Sequence, residues 1–121
     1  MKALVVDDSR AMRTILTQSL KEAGFADVSQ AANGREGYEF LVGHPETQLC
    51  LVDWNMPEMT GIQMVEAVRK EQALAAVRIM MVTTETEVAH MQQAIEAGAN
   101  EYVMKPFTKD VIAEKLRGLG F

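Results

Sequence analysis

Five residues of this chain carry chemistry and share one place in the pattern: each follows directly on a short apolar run. Asp7 and Asp8 close "LVVDD", Asp53 closes "LCLVD", Thr83 follows the run Val77 to Val82, and Lys105 follows "YVM". Three carboxylates brought into one pocket repel one another unless a cation joins them. An all-oxygen donor set suits a hard divalent cation, and carboxylates this few suit magnesium with retained waters better than calcium. Lys105 would be redundant in such a set unless more negative charge arrives. A phosphoryl group brings that charge together with strong acceptor oxygens. Magnesium and Lys105 would balance it, the Thr83 hydroxyl would donate to it, and a carboxylate can itself accept it as an acyl phosphate.

For these residues to meet, the apolar runs must be strands of one sheet. Leu4 to Val6 is continuous and apolar, the mark of a strand buried on both faces. Phe25 to Gln30 reads as a weaker second strand, Leu49 to Val52 as a third ending at Asp53, Val77 to Val82 as a fourth, and Tyr102 to Met104 as a fifth. Helical spacing separates them. Ser9 is an N-cap ahead of Met12, Ile15, Leu16, Leu20 and Ala23, with Gly24 closing that helix. Asn33–Gly34 reads as a loop-to-helix junction before Tyr38, Leu41 and Val42. Ile62, Val65 and Val68 mark a third helix, and Val88, Met91, Ala94 and Ile95 a fourth that stops at Gly98. Val111, Ile112, Ala113 and Leu116 mark a fifth, from about Thr108. Five strand-then-helix units predict an α/β fold, a five-stranded parallel sheet with helices on both faces. Ligands of such sheets bind at the carboxyl ends of the strands, where the five residues fall.

Composition narrows the function. The 121 residues read as a single domain, residues 1–121, and 48% are apolar, as a packed core requires. A net charge of −5 and the lack of a basic recognition helix argue against nucleic acid as a partner. No apolar run is long enough to span a membrane. Cys50 cannot form an internal disulfide and reads as a small core hydrophobe, which fits a reduced, cytoplasmic setting. His44 and His90 read as solvated surface residues, and no His or Cys near the acids favours zinc.

Four stretches, in order and each at a strand end, carry a resemblance. They are "VVDDS" at Val5–Ser9, "DWNMPEMTG" at Asp53–Gly61, "TTE" at Thr83–Glu85 and "YVMKPF" at Tyr102–Phe107. The chain resembles the receiver domain of two-component response regulators over essentially its whole length, nearest to the single-domain, chemotaxis-type CheY-like members. The flavodoxin-like strand order 2-1-3-4-5 comes with that resemblance and not from the patterning. The resemblance implies that Asp53 is the phosphoacceptor, that Asp8 and Asp53 hold Mg2+ directly with the backbone carbonyl of Asn55, and that Asp7 acts through water. It implies Thr83 as the switch hydroxyl, Tyr102 as the aromatic that turns inward after it, and Lys105 as the counter-charge, with a cis Lys105–Pro106 bond. Thr84 competes with Thr83 on sequence alone. Asn55 and Glu85, each two residues past a site residue, would reach an attacking water and tune the lifetime of the phosphoryl group.

The implied protein is a monomeric signalling switch and not an enzyme, assisting only its own phosphorylation and dephosphorylation. Its implied partners are a sensor histidine kinase or histidine phosphotransfer domain and a downstream target, with a flagellar motor switch foremost. A phosphorelay intermediate or phosphate sink outside chemotaxis is the alternative. A haloacid-dehalogenase-like phosphatase would want an aspartate where Asn55 stands, and a flavodoxin-like cofactor binder would want a phosphate loop where "DDSRA" stands.

Overall fold

The computed structural model describes residues 1–84 and 88–121, Val88 by its backbone alone. Five strands form one parallel sheet: β1 (Lys2–Val6), β2 (Asp27–Ala31), β3 (Leu49–Asp53), β4 (Arg78–Thr83) and β5 (Glu101–Met104). Their order is β2-β1-β3-β4-β5, as the resemblance implied. The helices are α1 (Arg10–Glu22), α2 (Gly34–Gly43), α3 (Gly61–Lys70), α4 (Val88–Ala97) and α5 (Lys109–Gly118), with a short 3-10 turn at Gln72–Leu74.

The alternation of side chains along each strand sorts the core into two layers. Leu4, Val6, Cys50, Val52, Ile79, Met81 and Tyr102 pack on one face with Leu41 of α2, Met64, Val65 and Val68 of α3, and Ala94 of α4. Ala3, Val5, Leu49, Leu51, Met80, Val82 and Val103 pack on the other with Leu16 and Leu20 of α1 and Ile112 and Leu116 of α5. Cys50 is fully buried, as expected, and burial pushes its thiol pKa up, so it is an inert core group.

Helix ends follow the local chemistry. The Ser9, Asn33, Thr60 and Thr108 side chains accept from backbone N–H groups in the first turns of α1, α2, α3 and α5. Gly24 has φ +107° and closes α1: Gly24 N–H donates to Lys21 and Phe25 N–H to Leu20. That turn corrects the second strand. Phe25 belongs to the helix stop and packs in the core, and the strand begins two residues later, at Asp27. The predicted apolar stripes were also too wide. Ile15, Val42, Met91, Ile95 and Val111 are exposed. A helix lying on a sheet buries a narrow row, and Ile95, next to the buried Ala94, is turned about 100° away from it.

One contact sets where β3 ends relative to α3. A Cβ on Gly61 would lie 2.3 Å from the Asp53 carbonyl oxygen and 2.8 Å from Met81 Cε. Only glycine lets α3 start against the end of β3. Gly61→Ala should therefore cost about 1–3 kcal/mol of stability through overpacking, read as a lower urea midpoint at unchanged m-value; an unchanged midpoint would refute the contact.

Candidate functional site

Asp7 extends β1 by one residue, its N–H donating to Ala31 O at 3.1 Å. Its carboxylate is almost wholly buried, at 1% exposure. Oδ1 accepts from Ser9 N–H at 2.8 Å, and Oδ2 accepts from Lys105 Nζ at 3.2 Å. The same ammonium donates to Asp53 Oδ1 at 3.3 Å. Asp8 is exposed and makes no hydrogen bond or ion pair among the described residues. One carboxylate oxygen from each of Asp7, Asp8 and Asp53 lies within 4.8 Å of the others. Strand parity explains the meeting of Asp7, Asp53 and Lys105. Asp7 continues the alternation of Ala3 and Val5, Asp53 that of Leu49 and Leu51, and Lys105 that of Val103, all on the α1/α5 face. Lys105 N–H donates to Thr83 O at 2.7 Å, and the Lys105–Pro106 bond is cis.

Asp53 is buried to 8% exposure, and its pKa is pushed up to about 6. Burial is the largest cause, followed by the charge of Asp7. Lys105 pulls the other way, and Asp8 adds a smaller upward push. The Lys105 ammonium thus offsets only part of what burial and the neighbouring carboxylates add.

Thr83 and Tyr102 occupy the other face. Thr83 is fully buried at the end of β4, while Thr84 is exposed, so the fold separates two residues that sequence phase left equivalent. Tyr102 pairs with Met81 in the β4–β5 register and is 5% exposed within the core. The Tyr102 ring lies inward in this structure, because the parity of Ile79 and Met81 gives it an apolar wall. Asn55 lies exposed in the turn after β3. Glu85 lies outside the described residues. The histidines are half-buried and not solvated as expected: His44 stacks on Phe40 at 4.1 Å between ring centroids, and His90 tilts against Trp54 at 5.2 Å.

The donor set fits a hard divalent cation. Asp8 offers free carboxylate oxygens, Asp53 offers an oxygen not bonded to Lys105, and no nitrogen or sulfur ligand joins the cluster among the described residues. Asp7, with both oxygens engaged, fits a role through water. Residues 3–117 match the response regulator receiver domain. The chain belongs to the response regulator receiver family. This receiver is 44% identical to the chemotaxis protein CheY1 of Helicobacter pylori over 116 residues, 96% of this chain and 94% of that one. It is 39% identical to the chemotaxis protein CheY of Pseudomonas aeruginosa, covering 96% of this chain and 93% of the other. Its fold superposes on the Vibrio cholerae chemotaxis protein CheY4 with a TM-score of 0.89 at 34% identity, over 97% and 96% of the two chains. The receiver is thus of the chemotaxis response-regulator type, with an acidic pocket of the kind in which receivers bind Mg2+.

One contact of the site goes beyond the residues expected from the sequence: Arg13 Nη1 donates to the Asp7 carbonyl at 2.7 Å. The available signal was its position one turn past the cap residue Ser9, in a helix that starts two residues after Asp8.

A raised carboxyl pKa means that the folded chain binds the proton more tightly than the unfolded chain. With a folded value of about 6 for Asp53, protonation protects the fold at low pH, and the protection is lost as pH rises from about 4 to 6. In chelator, the stability of the wild type should fall across that window relative to Asp53→Asn, by on the order of 2 kcal/mol. Urea midpoints at stepped pH measure the difference, and parallel curves would refute the raised pKa of Asp53.

Proposed function

We propose that this receiver takes a phosphoryl group from a phosphohistidine onto Asp53, and that it acts as a stand-alone switch and not as an enzyme. The observation that carries this reading is the Lys105 ammonium bridging Asp7 and Asp53 beside an Asp53 whose pKa is raised to about 6. In the transfer, an Asp53 carboxylate oxygen forms a bond to phosphorus as the phosphorus–nitrogen bond to the donor imidazole breaks. The bonding pair returns to that nitrogen, and the product is an acyl phosphate on Asp53. A magnesium ion held by Asp8, Asp53 and the Asn55 backbone carbonyl, with Asp7 through water, would supply positive charge to the transferring oxygens.

The chain's own residues do the rest. Lys105, tied to two carboxylates, can follow the new charge without leaving the site. The Thr83 hydroxyl, buried at the end of β4, is the donor that the new oxygens recruit. Its movement acts on Tyr102, which shares its face, and phosphorylation then holds an inward ring in place where sequence reasoning had it drawn in. The α4, β5 and α5 surface carries that bias to a protein partner. The chemotaxis names of its relatives support a flagellar motor switch as that partner, a sensor kinase or phosphotransfer domain as the donor, and a cytoplasmic place of action. Among the described residues, no helix is long and apolar enough to cross a membrane.

Labelled phosphoryl from acetyl phosphate or a phosphorylated kinase should enter the wild type and not Asp53→Ala; retained labelling in the variant would place the acceptor elsewhere. Asn55, exposed at the mouth of the site, and Glu85 are proposed to set access of the hydrolytic water. Asn55→Ala and Glu85→Ala should each change the first-order decay of label severalfold, and unchanged decay in both would remove that role.

A further inference from the structure

Every polar group of Asp7 is engaged. Its N–H goes to Ala31 O, its carboxylate oxygens take Ser9 N–H and Lys105, and its carbonyl takes Arg13. Asp8, the next residue, has no such ties among the described residues. The direction of its side chain is therefore set by the two peptide units on either side of it. Asp7 Oδ1 holds the following unit at Ser9 N–H, at 2.8 Å, and Arg13 Nη1 holds the preceding unit at the Asp7 carbonyl, at 2.7 Å. Arg13 is itself steadied. Its Nε donates to Gln30 Oε1 at 3.2 Å, and Gln30 Nε2 donates to Thr17 Oγ1 at 3.0 Å, one helical turn beyond Arg13. A cation-bearing side chain thus spans from α1 to the end of β1 and spends a charged hydrogen bond on a backbone carbonyl, with β2 as its brace.

We infer that Arg13 is a positioning residue for the divalent cation: it pins the Asp7–Asp8 peptide so that the untethered Asp8 carboxylate points into the acidic pocket. This rests on the proposed metal role of Asp8. It also makes a prediction opposite in sign to simple electrostatics. Removing a positive charge near three carboxylates should tighten a cation. Removing the support of a metal ligand should weaken it, by about tenfold where such supports have been removed elsewhere.

The test is an Mg2+ titration followed by Trp54 emission on wild type, Arg13→Met and Gln30→Ala, with circular dichroism confirming that each is folded. Arg13→Met should raise the half-saturating Mg2+ concentration about tenfold, Gln30→Ala should raise it less, and acetyl phosphate-driven labelling at saturating Mg2+ should keep its maximal rate. In chelator, the amide order parameter of Asp8 in Arg13→Met should fall below the wild-type value. A responsive wild type with an unchanged or lowered half-saturation in folded Arg13→Met would overturn the positioning role alone. So would a rise in half-saturation with no loss of order at Asp8. A wild type that shows no Mg2+ response by emission or by calorimetry would overturn the metal reading and this inference with it.

Discussion

The Lys105 ammonium, shared between Asp7 and Asp53, is the interaction on which the site depends. A carboxylate as deeply buried as Asp7 would cost several kcal/mol without a partner. Lys105 and Ser9 N–H provide those partners, but the same cation serves Asp53 as well. Burial first, and the charge of Asp7 second, raise the pKa of Asp53 against the pull of that shared ammonium. Positive charge brought into such a site relieves the repulsion among its acids.

The sheet makes this imbalance tolerable. β1, β3 and β4 are buried along nearly their whole length and are locked in parallel register, so the strand ends cannot splay to relieve the repulsion. Gly61 brings α3 hard against the end of β3, and a cap at Ser9 starts α1 directly after the acids. Arg69 does comparable work at the far end of the sheet, donating to the carbonyls of Gly98 and Val77 and to Asn100 Oδ1, which ties the end of α3 to the turn before β5. The framework is rigid where the charges are and is anchored at the opposite edge.

Side-chain alternation divides labour between the faces. Asp7, Asp53 and Lys105 fall on the α1/α5 side, and Thr83 and Tyr102 on the side of α3 and α4. Tyr102 and Lys105 therefore fall on opposite faces at the end of β5, three residues apart.

Most of the architecture was legible in the chain, because buried parallel strands must be apolar throughout and their ends must be punctuated. Asp7, Asp8, Asp53, Thr83 and Lys105 announced themselves by following those runs. The misreadings share a cause: periodicity reports which residues are apolar, and not how narrow a row the sheet will cover. Ile15, Met91, Ile95 and Val111 fit the spacing and still face out. Phe25 looked like strand and instead completes a helix stop, since Gly24 reverses the chain there. By itself, then, the sequence determined the order of elements and an acidic set whose donors suit a hard cation, through apolar runs and residue chemistry that act locally. Only the tertiary structure decided that Lys105 bridges two acids, that Thr83 and not Thr84 is buried, that Tyr102 already lies inward and that Arg13 reaches back to Asp7. Each of these depends on register and parity between strands distant in the chain, which no local pattern encodes.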